Sequence, residues 1–105
     1  MEESILGGIG VEINCAEDRT IIVRKVIPNS PAFRKGIQEG DKILEVEGQT
    51  LKSLPFTDVI MKIRGPIGSL VRLKILKKDG NQVNVELRRE PVTPITIIAP
   101  IKDSQ

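Results

Sequence analysis

Residues 30–48 of the chain run Ser30-Pro31-Ala32-Phe33-Arg34-Lys35-Gly36-Ile37-Gln38-Glu39-Gly40-Asp41-Lys42-Ile43-Leu44-Glu45-Val46-Glu47-Gly48. A serine ahead of a proline supplies a capping hydroxyl and a first-turn residue whose missing N–H costs nothing. Basic residues and Gly36 then close a helix of barely one or two turns. Gly40-Asp41 is a turn, after which Lys42 to Glu47 reads as a strand ending at Gly48-Gln49.

Towards the N-terminus, Thr20 to Ile27 is a β-branched run closed by Pro28-Asn29 and predicts another strand. Asn14 to Arg19 is polar and turn-like. Before it, Val11-Glu12-Ile13 alternates apolar with polar as a half-buried strand does, and Gly7-Gly8-Ile9-Gly10 forms a loop leading into it. Towards the C-terminus, Phe56, Val59, Ile60 and Ile63 follow helical i, i+3, i+4, i+7 spacing, with Asp58 early and Gly65-Pro66 as the stop. Pro55 belongs in the first turn of this main helix, and Ser53 is the nearest capping hydroxyl. Val71, Leu73 and Ile75 alternate with Arg72 and Lys74; Val83, Val85 and Leu87 repeat the pattern, and Asp79-Gly80 between them signals a two-residue hairpin loop. Lys77-Lys78 and Arg88-Arg89 read as solvated strand-end charges. The predicted fold is mainly β with two helices, a small partly open β-barrel or sandwich.

At 105 residues there is material for one core. The expected division is residues 1–90 as one domain and 91–105 as a tail or interdomain linker, whose prolines around Ile95-Thr96-Ile97-Ile98 fit an edge strand at most. With only Phe33 and Phe56 as aromatics, the core must be filled by Ile, Leu and Val. A formal charge of +2, scattered and without stacking aromatics, argues against nucleic acid. A single cysteine, Cys15, and the lack of histidine remove an internal disulfide and the usual zinc and copper ligand sets, so no cofactor or metal is expected. No apolar run is long enough to span a bilayer.

The order of elements, with these residues in it, resembles the PDZ fold. Gly8-Ile9-Gly10-Val11 is similar to that family's Gly-hydrophobic-Gly-hydrophobic carboxylate-binding loop, and residues 30–48 to its most recognisable internal segment. Only Met1 to Leu6 precede the glycine loop, while an additional strand is predicted at Gln82 to Arg89, which is the circularly permuted order of bacterial PDZ modules. Gly7 to Ile13 and Ile63-Arg64-Gly65-Pro66-Ile67-Gly68-Ser69 resemble most the PDZ domain of C-terminal processing (tail-specific) serine proteases.

The resemblance implies a binding module that captures C-terminal tails of other proteins by strand addition along Val11, Glu12 and Ile13. Amides of Ile9, Gly10 and Val11, beyond Gly8, would hold the guest carboxylate. Ile9, Val11, Ile13 and Ile63 would line the slot for its last side chain, with Phe56 and Ile60 contacting the peptide further back. Partners are then apolar-ended C-terminal peptides and a protease domain attached in the parent, with an extracytoplasmic setting in the periplasm or cell envelope. The chain itself lacks the serine–lysine catalytic domain, so no catalytic residue is assigned. The alternative is a free-standing adaptor or assembly module whose tail mediates self-association or autoinhibition.

Overall fold

The computed structural model describes residues 6–91 of the 105, with no account of the Leu6 side chain. The elements in chain order are β1 (Leu6–Gly7), β2 (Val11–Cys15), β3 (Ile21–Val26), α1 (Pro31–Arg34), β4 (Lys42–Val46), β5 (Gln49–Thr50), α2 (Phe56–Ile63), β6 (Gly65–Pro66), β7 (Leu70–Leu76) and β8 (Gln82–Arg88). One sheet runs in the order β2-β3-β4-β7-β8, with β5 folded back on β4, while β1 and β6 make a separate two-stranded pair. Every pairing is antiparallel. Strands thus dominate and two helices flank an open sheet, as expected.

The core is aliphatic. Val71, Leu73 and Ile75 on β7 are 2% exposed or less and meet Ile21, Val23, Ile43 and Val46 from the neighbouring strands. Their alternation with Arg72 and Lys74 is what fixes the register, because a slip of one residue would turn the charges inward. Neither phenylalanine belongs to this buried set: Phe33 is largely exposed and Phe56 half-buried. Burial fades along β8 from Leu87 through Val85 to Val83, since this end strand outruns the core at its hairpin tip.

Several local expectations change. The hairpin loop has three residues, Lys78 to Gly80: Gly80 N–H donates to Lys77 O at 2.9 Å, Lys77 N–H donates to Asn81 O at 2.8 Å, and only Gly80 has a positive φ, +93°. A two-residue type I′ loop needs positive φ at both positions, whereas a turn followed by a left-handed glycine closes a three-residue loop. Helix α2 begins with Pro55 at the N-cap position itself and has no side-chain cap, so Ser53 plays no such part. By contrast α1 is capped as predicted, Ser30 Oγ accepting from Phe33 N–H at 3.2 Å.

Two charges read as solvated are built into the structure. Lys77 Nζ donates to Asp41 Oδ2 at 2.6 Å and to Gly36 O at 2.8 Å, and Asp41 is fully buried, its Oδ2 also accepting from Gln38 N–H at 2.8 Å. Among the described residues, Asp41 Oδ1 is buried without a partner. Arg89 is 8% exposed and donates to Ile63 O (2.9 Å), Lys62 O (3.0 Å), Ser69 Oγ (2.8 Å) and Leu70 O (3.4 Å). Burial lowers its pKa from the ordinary guanidinium value while the Glu47 charge opposes that shift, yet a guanidinium stays ionised. The tail beyond Pro91, including the possible strand at residues 95–98, lies outside the described residues.

Candidate functional site

The glycine loop is anchored by its carbonyls and one amide. Gly8 N–H donates to Glu90 O and Glu90 N–H to Gly8 O, each at 3.0 Å; Ile9 O accepts from Ala32 N–H in α1 at 2.9 Å, and Gly10 O from Ile27 N–H at 2.9 Å. Gly8 therefore fastens the loop and has no amide to spare. Among the described residues, the N–H groups of Ile9 and Gly10 have no acceptor. Gly10 is obligatory here: its φ is +87°, and a Cβ would stand 2.1 Å from Ser30 Cβ.

Register shows where the following amides point. Val11 lies opposite Val26, and the bond from Ile27 N–H to Gly10 O brackets that pair, so it is a wide pair whose own N–H and C=O groups point away from β3. Cys15 opposite Ile21 is bracketed likewise by Ala16 N–H to Thr20 O at 2.8 Å. Between them, β3 carries one extra residue, Arg24, which lies opposite the Glu12/Ile13 step and keeps Ile13 in a wide pair with Val23. Since β2 ends the strand order, the outward groups of Val11, Ile13 and Cys15 lie on a sheet edge that no other strand among the described residues covers. Glu12, half-buried, faces Lys25 across the pair.

The apolar residues separate into two tiers. Ile9 (2% exposed) and Ile63 (5%) belong to the buried cluster together with Val59, and Val11, Ile13 and Phe56 pack against that cluster while half-buried. Ile9 and Ile63 thus have almost no surface left to present as walls. Ile60 is half-buried but is not among the side chains packed on the cluster. Arg64, just past α2, is exposed, and no charged side chain belongs to the glycine loop itself. Among the described residues no three His, Cys, Asp or Glu side chains gather as a metal-ligand set, and no helix is long and apolar enough to cross a membrane.

A five-strand antiparallel path with a glycine loop feeding its free edge and the extra strand β8 placed last defines a PDZ-like domain of the circularly permuted type. The PDZ domain family model matches residues 1–76, and the chain belongs to that family. It is 27% identical over 97 residues to the carboxy-terminal processing protease CtpA of Bacillus subtilis (strain 168), covering 92% of this chain and 21% of that protein. It is 33% identical over 85 residues to the chloroplastic carboxyl-terminal-processing peptidase 3 of Arabidopsis thaliana, covering 79% of this chain and 16% of that protein. Among solved structures, the PDZ domain of a Vibrio cholerae carboxy-terminal protease, crystallised in complex with peptide, superposes with a TM-score of 0.69 at 33% identity, covering 81% of this chain and 94% of that one. The chain thus spans 21% and 16% of the length of these two curated relatives, and what it matches is their PDZ part.

The residues that sequence reasoning missed are Arg89 and Glu90, which hold the helix end and the loop in place. Ser30, predicted as a cap, also stands against Gly10. Nothing local marks Arg89 as buried, because its acceptors lie 19 to 27 positions earlier in the chain.

Proposed function

We propose that this chain captures the C-terminal end of another polypeptide by adding it as a strand to the outer edge of β2. The observation that carries the reading is the run of amides at Ile9, Gly10 and Val11, unbonded or turned outward, at the head of a free sheet edge. A terminal carboxylate placed there receives charge-assisted hydrogen bonds from a backbone already held open by Gly8 and Gly10. Val11, Ile13, Phe56 and Ile60 give accessible apolar surface, and Ile9 and Ile63 form the floor beneath. Burying one Val or Leu end contributes about 1.5–3 kcal/mol, which with ordering costs fits an affinity on the order of micromolar. That a relative's PDZ domain was crystallised in complex with peptide supports peptide binding here. In a parent protein the domain would select substrates for an attached serine-type C-terminal processing peptidase, in an extracytoplasmic compartment, with residues 91–105 as the connection.

The test varies the ligand first. A fluorescein-labelled nonapeptide ending Leu-Ala-Val is titrated by anisotropy as the free acid and as the C-terminal amide. The acid is expected to bind at least about tenfold more tightly, the worth of one charge-assisted contact. Equal affinity of the two, or no binding of the acid up to millimolar protein, would overturn the reading. Ile60→Asp, at a half-buried position outside the core cluster, should weaken the acid peptide without unfolding the domain.

A further inference from the structure

Two consecutive residues at the end of β8 hold the two parts of the proposed groove. Arg89 grips α2: its guanidinium donates to Lys62 O and Ile63 O, carbonyls of the last helical turn that have no partner within the helix. It reaches them from a buried position, tied also to Ser69 Oγ and Leu70 O and lying flat against Gly65, where a Cβ would come within 2.7 Å of Cζ. Glu90 grips the loop, exchanging both backbone hydrogen bonds with Gly8, the residue immediately before the free amide of Ile9. Its carboxylate is in turn paired with Arg34 of α1.

Adjacent Cα atoms are held about 3.8 Å apart by the peptide bond, so a shift at either residue moves the other. We infer that Arg89 and Glu90 are the positioning residues of the peptide groove, setting the placement of the carboxylate-binding amides relative to the floor residue Ile63. This rests on the proposed peptide capture for its binding consequence only. The guanidinium matters as a fork: two carbonyls one residue apart need two directed donors in a plane, which a lysine ammonium does not supply. Groove geometry is thereby carried by the same segment that leads out of the domain at Pro91.

The test compares Arg89→Lys with Arg88→Lys, the latter replacing an exposed neighbour that donates to Gly68 O at 2.8 Å. Amide hydrogen exchange is followed at Gly8, Ile27, Ala32 and Glu90, whose N–H groups hold the loop, at Arg64, and at Val71, Leu73 and Ile75 as a gauge of global opening. Arg89→Lys should speed exchange at both the loop and the helix end while the β7 amides hold their rates, and Arg88→Lys should change none of them. Loosening confined to the helix end would reduce Arg89 to a cap; a uniform rise would reduce it to general stability; either overturns the inference. On the peptide side, Arg89→Lys should weaken the acid nonapeptide roughly 3- to 30-fold, and unchanged affinity overturns it too. If the wild-type chain bound no peptide, the capture reading would fall alone, and the exchange comparison would still decide the positioning role. Should Arg89→Lys fail to fold, Gly65→Ala crowds the guanidinium instead, and exchange at the loop and the helix end must then rise by more than it does at the β7 amides.

Discussion

Replacing Gly10 by alanine separates two costs that the structure places at one atom. The backbone there is left-handed, φ +87°, which costs an L-residue about 1–2 kcal/mol. The new methyl would also stand 2.1 Å from Ser30 Cβ and 2.3 Å from its Oγ, and forcing such overlap in a packed site costs about 1–3 kcal/mol more. Together these remove about 2–5 kcal/mol from a domain whose whole stability is on the order of 5–15 kcal/mol. Ser30→Gly alone should cost only a few tenths, because glycine is a tolerable cap in place of the hydroxyl that accepts from Phe33 N–H. The double variant relieves the overlap and retains the dihedral cost, so the two changes should couple favourably by about 1–3 kcal/mol. The chain has no Trp or Tyr, so the cycle is best measured by urea unfolding under far-UV circular dichroism, checked by calorimetry, where each kcal/mol moves the midpoint about 4–8 °C. Strictly additive costs, or a Gly10→Ala penalty below about 0.5 kcal/mol, would refute the packing argument.

Lys77→Met should destabilise by about 3–5 kcal/mol, because it strands the fully buried Asp41 carboxylate; Asp41→Asn on top should recover much of the loss in the same urea assay. Gly65→Ala meets no backbone penalty but crowds a guanidinium fixed by four hydrogen bonds, and a loss of about 1–3 kcal/mol is expected by calorimetry. Asp18 is held below its ordinary 3.8 by hydrogen bonds from Thr20, the side chain first and then the N–H at 3.0 Å. Its folded-state pKa is depressed, so its contribution is present above 3.8 and lost as pH falls through the lower value; Asp18→Asn should flatten that acid-side change in urea midpoints.

The elements legible in sequence are those whose cause is local. The Ser30-Pro31 cap, the apolar stripe of Phe56, Val59, Ile60 and Ile63, and the alternation along β7 each carry their own signal within a few residues. The glycine loop was legible for the same reason, and its free amides follow from how few acceptors a turn of that shape leaves nearby. What could not be read is what distant segments do to one another. Two-residue strands such as Leu6–Gly7 with Gly65–Pro66 have no periodicity to detect. Charge gave the wrong expectation for Lys77 and Arg89, since a basic residue at a strand end is solvated unless a carboxylate or helix carbonyls from elsewhere arrive to satisfy it. Ile9 and Ile63 were assigned as slot lining by resemblance, and only packing shows how little of either is left uncovered.

The reciprocal bond between Gly8 and Glu90 brings the two ends of the described span side by side. Residues exchanging both bonds in an antiparallel pair have Cα atoms about 5.5 Å apart, a distance any surface turn can accept. A span whose ends meet in this way, β1 included, could be spliced into an unrelated scaffold without prying it open, and a short bridge between those ends would let the chain be cut and restarted at another loop.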